Sequence, residues 1–336
     1  MPGIRMILFL LSLLPCGFAC AAGDRQREIT DPAEAAKDPD FAVQGEYIGE
    51  GLWSDGENVK VGAQVIARGN GQFDVVATRG GLPGDGWKRG EPRFTLSGKR
   101  DGEITKLSGQ DFSGKIDGPA MTIAGGGDKV ELKLKRTVRH SPTEGAKPPE
   151  GAVVLFDGTT AENFIHGRMS KDNNLMSEAT TKRAFGDYML HIEFRLSYMP
   201  TARGQDRSNS GLYLHDCYEM QVLDSFGLEG ENNECGGFYQ LRKPDVNMCF
   251  PPLCWQTYDV EFIAPRYQDG KKVADVRIEV RHNGVLIHPW FDLTNDTPGR
   301  QAEGPAPRPF YLQGHGNKVQ YRNIWVKEKK EKNDDR

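Results

Sequence analysis

The run Tyr188-Met189-Leu190-His191-Ile192-Glu193-Phe194-Arg195-Leu196 decides the fold. Apolar and polar residues alternate with a period of two, the mark of a strand with one buried and one wet face. The pattern returns at Tyr258, Val260 and Phe262, at Val276, Ile278 and Val280, and along Val319-Gln320-Tyr321-Arg322-Asn323-Ile324-Trp325-Val326. Asn283-Gly284, just after one of these runs, is a two-residue hairpin signal, because both residues tolerate positive φ. Short strands in series without helices between them predict an all-β, antiparallel sandwich.

Composition agrees. The chain has 336 residues, with 40 Gly and 20 Pro, which favours strands and turns over long helices. Its 37% hydrophobic content is enough for packed cores and excludes global disorder. Lys and Arg total 43 against 47 Asp and Glu, a net charge of −4 without the basic excess that nucleic-acid binding requires.

A second β region precedes the sandwich. Val59, Val61, Ala63, Val65 and Ala67 alternate with Lys60, Gly62, Gln64 and Ile66, and Val130, Leu132 and Leu134 repeat the pattern. Residues 40–136 are therefore expected to form a small β domain. Its Trp53 and Trp87 look exposed and could stack on sugar rings, although packing is the plainer reading. Ahead of it, Asp31-Pro32-Ala33-Glu34 sets a capping acid, a first-turn Pro and a reciprocal Glu in helix-start order, predicting one short helix. Residues 137–151, rich in Pro and polar side chains, read as a linker. The sandwich occupies 152–327, and 328–336 is a charged tail.

Residues 1–21 read as an export signal: Arg5, then an apolar run beginning at Ile7, then the small-x-small Ala19-Cys20-Ala21. The run is too short for an integral membrane span. The expected location is periplasmic or extracellular, and neither Cys16 nor Cys20 has a good lipid-attachment context. Cleavage would leave Cys217, Cys235, Cys249 and Cys254, whose spacing suits no zinc site and whose three possible pairings stay open.

Polar residues converge around Asn209-Ser210-Gly211-Leu212-Tyr213-Leu214-His215 and Tyr218-Glu219-Met220-Gln221-Val222-Leu223-Asp224. Glu219 and Gln221 share a strand face about 6–7 Å apart, while Asp224 has the opposite parity unless a bulge or turn intervenes. A carboxylate, an amide and a second carboxylate could bind a polyol and move protons. Tyr239, after Cys235-Gly236-Gly237, and the pair Gln313 and His315, set among glycines, extend the candidate set. Glu219, Asp224 and His315 are the expected catalytic residues and, should a divalent cation be used, its candidate ligands. Asn209, Ser210, Gln221, Tyr239 and Gln313 are the expected substrate-binding residues. No glycine-rich dinucleotide loop precedes a helix, so neither a nucleotide nor a redox cofactor is expected.

These signposts give a resemblance. Leu155-Phe156-Asp157-Gly158, Asn209-Ser210-Gly211, Tyr218 to Asp224, Cys235-Gly236-Gly237, Trp255-Gln256-Thr257-Tyr258-Asp259, Asn283-Gly284-Val285 and Gln313-Gly314-His315-Gly316 occur in order across 152–327. The region resembles the 3-keto-disaccharide hydrolase family, also described as 3-keto-glucoside 1,2-lyase/3-keto-2-hydroxy-glucal hydratases. The resemblance implies a concanavalin- or lectin-like jelly roll with its ligand on the concave sheet. It further implies 1,2-elimination of the aglycone from a 3-keto-glucoside followed by hydration of the 2-hydroxy-glucal. An upstream sugar 3-dehydrogenase would have to supply that substrate. Two other readings stay open: a non-catalytic carbohydrate-binding jelly roll, and a conventional retaining glycosidase. For the latter, Glu219-x-Gln221-x-x-Asp224 resembles the acidic strand of laminarinase-like enzymes, but with Gln at the middle position.

Overall fold

The structure, a computed structural model, describes residues 27–127 and 129–329. The expected export signal lies outside the described residues, as does the charged tail beyond Lys329.

The described residues form two β bodies. In the first, eight antiparallel strands close into a barrel in the order Gly45–Leu52, Val130–Thr137, Ala120–Gly125, Phe112–Asp117, Ile104–Ser108, Arg93–Asp101, Gln72–Arg79 and Asn58–Gly69. Closure pairs every strand on both sides and leaves no edge exposed. The alternating apolar residues fill the interior: Val61, Ala63, Val65, Leu107, Ile123 and Leu132 are all buried in one cluster. Trp53 and Trp87 are not exposed. Trp53 packs on Phe94 with ring centroids 5.3 Å apart, and the Trp87 indole N–H donates to the Glu91 carbonyl at 3.3 Å.

Among the described residues two short helices precede the barrel where one was expected, Pro32–Ala35 and Pro39–Val43. Asp38-Pro39 repeats the Asp31-Pro32 device, each Asp accepting from a first-turn N–H. Glu34 does not close a capping box; its carboxylate lies 3.5 Å from Arg27.

The second body is an antiparallel sandwich. One sheet runs Val153–Phe156, Gln320–Glu328, Tyr188–Arg195, Trp255–Ile263, Val276–His282, Val285–Leu293, with Leu175–Met176 also paired to Gln320–Glu328. The other runs Phe164–Ile165, Ala179–Thr181, Tyr311–Leu312, Ser210–Leu214, Tyr218–Val222. Between them lies the main core, including Leu190, Ile192, Phe194, Val260, Leu212 and Met220. The Asn283-Gly284 hairpin forms with both residues at positive φ, 50° and 77°.

One expectation fails in an informative way. The polar face of Tyr188–Arg195 is not wet at its centre: His191 and Glu193 are fully buried. The segment between barrel and sandwich lies across them. Gly145 N–H donates to Glu193 at 2.6 Å, Thr143 donates to Asp259 at 2.7 Å, and Asn323 and the Trp325 indole both donate to the Ala146 carbonyl. Period two reports which side chains share a face, and says nothing of what a later segment lays over that face.

The two bodies also touch directly. The Arg89 guanidinium donates to the carbonyls of Glu229, Gly230, Pro244 and Asp245. Cys217, Cys235 and Cys249 are buried, Cys254 is half-buried, and none is bridged. Among the described residues no helix is long and apolar enough to cross a membrane.

Candidate functional site

The site is built on the outer face of the five-stranded sheet, opposite the core. Strand Tyr218–Val222 sends Met220 and Val222 into the core, so Glu219 and Gln221 face the other way. Antiparallel pairing places Tyr213 directly across from Glu219, and Gly211 across from Gln221. A Cβ on Gly211 would sit 2.4 Å from Glu219 Oε1, so only glycine leaves room for the carboxylate as it stands. The loop after strand Tyr311–Leu312 brings Gln313 and His315 alongside. Pro298 and Gly299 form one wall and Tyr239 and Gln240 another.

The result is a cavity of about 230 Å³. Six expected residues line it: Glu219, His315, Asn209, Gln221, Tyr239 and Gln313. They are separated by up to about a hundred positions in sequence, and the sheet register brings them together.

Two expected residues lie elsewhere. Asp224 follows the end of the strand and is buried, its carboxylate held by Arg207 Nε at 2.6 Å. Ser210 is buried on the core side, with its hydroxyl 2.5 Å from the Gln313 carbonyl and 2.7 Å from the Tyr321 hydroxyl. Neither lines the cavity.

Glu219 is 4% exposed and accepts from the Tyr213 hydroxyl at 2.8 Å. Burial pushes its carboxyl from 4.5 up to about 7, and hydrogen bonds from Tyr213 and Gln313 only partly offset that rise. Tyr213, desolvated and facing a carboxylate, is raised further above its usual phenol value and stays a proton donor. The backbone N–H of Glu219 is held by Thr297 Oγ1 at 2.7 Å. Asn209 donates to Gln205 Oε1 at 3.2 Å, and Gln221 to the same atom at 3.0 Å. The Asn209 Oδ1 and Gln313 Oε1 atoms are buried with no partner. A buried acceptor without a donor is costly, so these two oxygens call for a ligand rich in hydroxyl donors.

Tyr213, Thr297 and Gln205 were missed in the sequence. Tyr213 could have been found by pairing the two polar strands through the turn at His215-Asp216-Cys217, where His215 and Asp216 both have positive φ. His215 itself, although close in sequence, is buried against Phe262 and lines a different cavity.

The candidate ligands of a divalent cation are only partly brought together. Of the three candidate ligands, Asp224 is turned to Arg207, which leaves one carboxylate and one imidazole at the cavity. Among the described residues no three His, Cys, Asp or Glu side chains converge for a metal. The amide side chains of Asn209, Gln205, Gln221 and Gln313 line the same cavity, and hard cations accept amide as well as carboxylate oxygens.

Residues 151–327, just over half the chain, match the family model of the 3-keto-alpha-glucoside-1,2-lyase-like domain. Two solved structures from Parabacteroides distasonis ATCC 8503, each provisionally named a glycosyl hydrolase, are similar. One is 26% identical with a TM-score of 0.48, covering 54% of this chain and 84% of that one. The other is 16% identical with a TM-score of 0.39, covering 57% and 99%. No curated protein matches.

Proposed function

The chain belongs to the 3-keto-alpha-glucoside-1,2-lyase-like family, and from that premise we propose that it cleaves 3-keto-glucosides by elimination and hydration. Carbohydrate-active function follows from the family. The finer reading rests on one observation: a single buried carboxyl, poised near 7, beside unpartnered amide oxygens.

A ketone at C3 acidifies the C2 proton. Glu219 removes it, and the electron pair moves into an enolate on the C3 oxygen. Collapse of the enolate forms the C1=C2 double bond and breaks the C1–O bond, and the departing oxygen takes a proton. Water then adds back, hydroxide to C1 and a proton to C2, giving 3-keto-glucose. A base near 7 suits this work at neutral pH, because it is partly ionised yet strong enough to accept the proton. His315, across the cavity, is the group we assign to protonate the leaving oxygen. Asn209 and Gln313 hold sugar hydroxyls through their free oxygens.

A conventional retaining glycosidase needs two carboxyls about 5–5.5 Å apart. Among the described residues Glu219 is the one carboxylate lining this cavity, which speaks against that reading. The substrate has to be supplied by an oxidation at C3, and the export signal read in the sequence makes a periplasmic or extracellular site part of the proposal. Incubation with a 3-keto-glucoside and its unoxidised parent tests it. Cleavage of the keto form alone is expected, slowed by deuterium at C2. Cleavage of the parent points to a glycosidase, and cleavage of neither to a binding protein.

A further inference from the structure

Two thiols meet behind one wall of the catalytic cavity. Cys235 and Cys249 are 0% and 1% exposed and belong to the sandwich core. Their side chains hydrogen-bond to each other. Both also reach the backbone of Leu223, just past the catalytic strand: Cys249 Sγ lies 3.5 Å from its carbonyl, and Cys235 bonds the same residue. Cys235 Sγ is 3.2 Å from the Tyr258 hydroxyl, which donates to the Gln221 carbonyl at 2.8 Å. The other two cysteines have different surroundings. Cys217 interacts with Tyr218, Glu303 and Arg308, and Cys254 borders a small cavity with Glu46 and Arg136 of the barrel.

The backbone on each side of the pair is fixed. Cys235 N–H donates to Ser225 Oγ at 3.1 Å, and Cys249 N–H to Asn247 Oδ1 at 3.0 Å. Phe250 N–H donates to Gln256 Oε1 at 2.8 Å. Two thiols held together on anchored backbone can be bridged with little movement of the chain. Between them runs the segment that carries Tyr239 and Gln240, one wall of the cavity. It is pinned along the catalytic strand, Gly236 N–H to the Gln221 carbonyl at 3.0 Å, Gln221 N–H to the Gly237 carbonyl at 2.8 Å and Tyr239 N–H to the Glu219 carbonyl at 3.0 Å.

We propose that Cys235 and Cys249 are a cross-linking site, joined as a disulfide when the chain folds under oxidising conditions, and that the bond staples this wall to the core. Of the three pairings that the sequence leaves open, this contact selects the one that contains Cys235–Cys249. The inference does not depend on the reaction proposed above. The oxidant is a small-molecule or protein disulfide. One cysteine thiolate attacks it, forming a mixed disulfide and releasing one thiol. The second cysteine then attacks the first, forming the S–S bond and releasing the other thiol. Two S–H bonds are lost, two electrons pass to the oxidant and its two halves leave as thiols. Reagents reach neither sulfur once the core has closed, so the bond forms during folding and afterwards resists reductants.

The test refolds the full chain from the reduced, denatured state with oxidised and reduced glutathione, alkylates free thiols in denaturant and maps the peptides. A peptide linked through Cys235 and Cys249, with Cys217 and Cys254 alkylated, is expected. All four alkylated, or Cys235 or Cys249 bonded to another cysteine, overturns the proposal. The oxidised protein should melt about 6–12 °C above the same chain refolded with a thiol reductant throughout. That difference should vanish in the Cys235→Ala/Cys249→Ala double variant and persist in Cys217→Ser. Equal melting of oxidised and reduced wild type overturns the stapling role, and this outcome leaves the proposed reaction untouched.

Discussion

The Tyr213 hydroxyl donates to Glu219 Oε2 at 2.8 Å across one rung of an antiparallel pair. That bond favours the ionised carboxylate, working against the burial that raises it to about 7. Glu219→Gln should cost about 10²- to 10⁴-fold in turnover, the usual worth of a positioned base. With a base that must be ionised, kcat/KM should rise with pH through about 7. Tyr213→Phe removes a stabiliser of the charged form and should move that limb to higher pH. A profile unmoved in Tyr213→Phe, or full activity in Glu219→Gln, removes Glu219 as the base.

Gly211→Ala separates activity from stability. The added Cβ meets the Glu219 side chain, with Oε1 at 2.4 Å and Cγ at 3.0 Å. The carboxylate must swing aside and weaken its Tyr213 bond, a cost of about 1–2 kcal/mol, so the fold should survive while the base is displaced. Misplacing a catalytic group by about 1 Å costs on the order of 100-fold. The expected variant melts within a few degrees of wild type and turns over at least tenfold more slowly. Unchanged kinetics would show that the carboxylate position seen here is not the working one.

Much of this was legible because period-two alternation is strong where one face is buried. The Tyr188 run, the Asn283-Gly284 turn and the shared parity of Glu219 and Gln221 all follow from it. Asp224 was not legible. It lies past the end of its strand, where parity no longer assigns a face, and a buried Arg207 from the preceding loop claims it. The wall at Thr297, Pro298 and Gly299 carries no periodic signal and is positioned by contacts to Cys217 and Glu219. Barrel closure was invisible too, since each strand's pattern is the same in an open sheet and a closed one.

Asp224→Asn tests the role of that buried pair. Arg207 and Asp224 are both about 3% exposed. Removing one charge from a buried pair leaves the other uncompensated, at about 3–5 kcal/mol. The melting temperature should fall on the order of 10 °C, while the pH limb of kcat/KM stays where Glu219 sets it. A variant with wild-type stability and no turnover would return Asp224 to the catalytic set.

The segment joining barrel and sandwich is held by a buried charged cluster whose pH response has a definite sign. Burial pushes His191 down, but Asp259 at 2.6 Å and Glu193 at 3.5 Å outweigh it and leave the imidazole raised above 6.5. Burial likewise pushes Glu193 up, yet bonds from His191, Asn323, the Gly145 N–H and Arg322 bring it down to about 2. Arg322 also pairs with Glu144 of the joining segment at 2.7 Å. A raised histidine contributes stability that is whole below about 6.5 and is lost as pH rises through its folded value. The depressed Glu193 contributes above about 4.5 and fails only as pH falls towards 2. Between about 4.5 and 6.5 both terms are present. Raising the pH from 6 to 9 should therefore lower the melting temperature of the wild type more than that of His191→Gln, by about 2–4 °C for each kcal/mol lost. Proteolysis between residues 140 and 149 should quicken over the same interval. Parallel melting curves for the two proteins across that range would mean that His191 does not carry the latch.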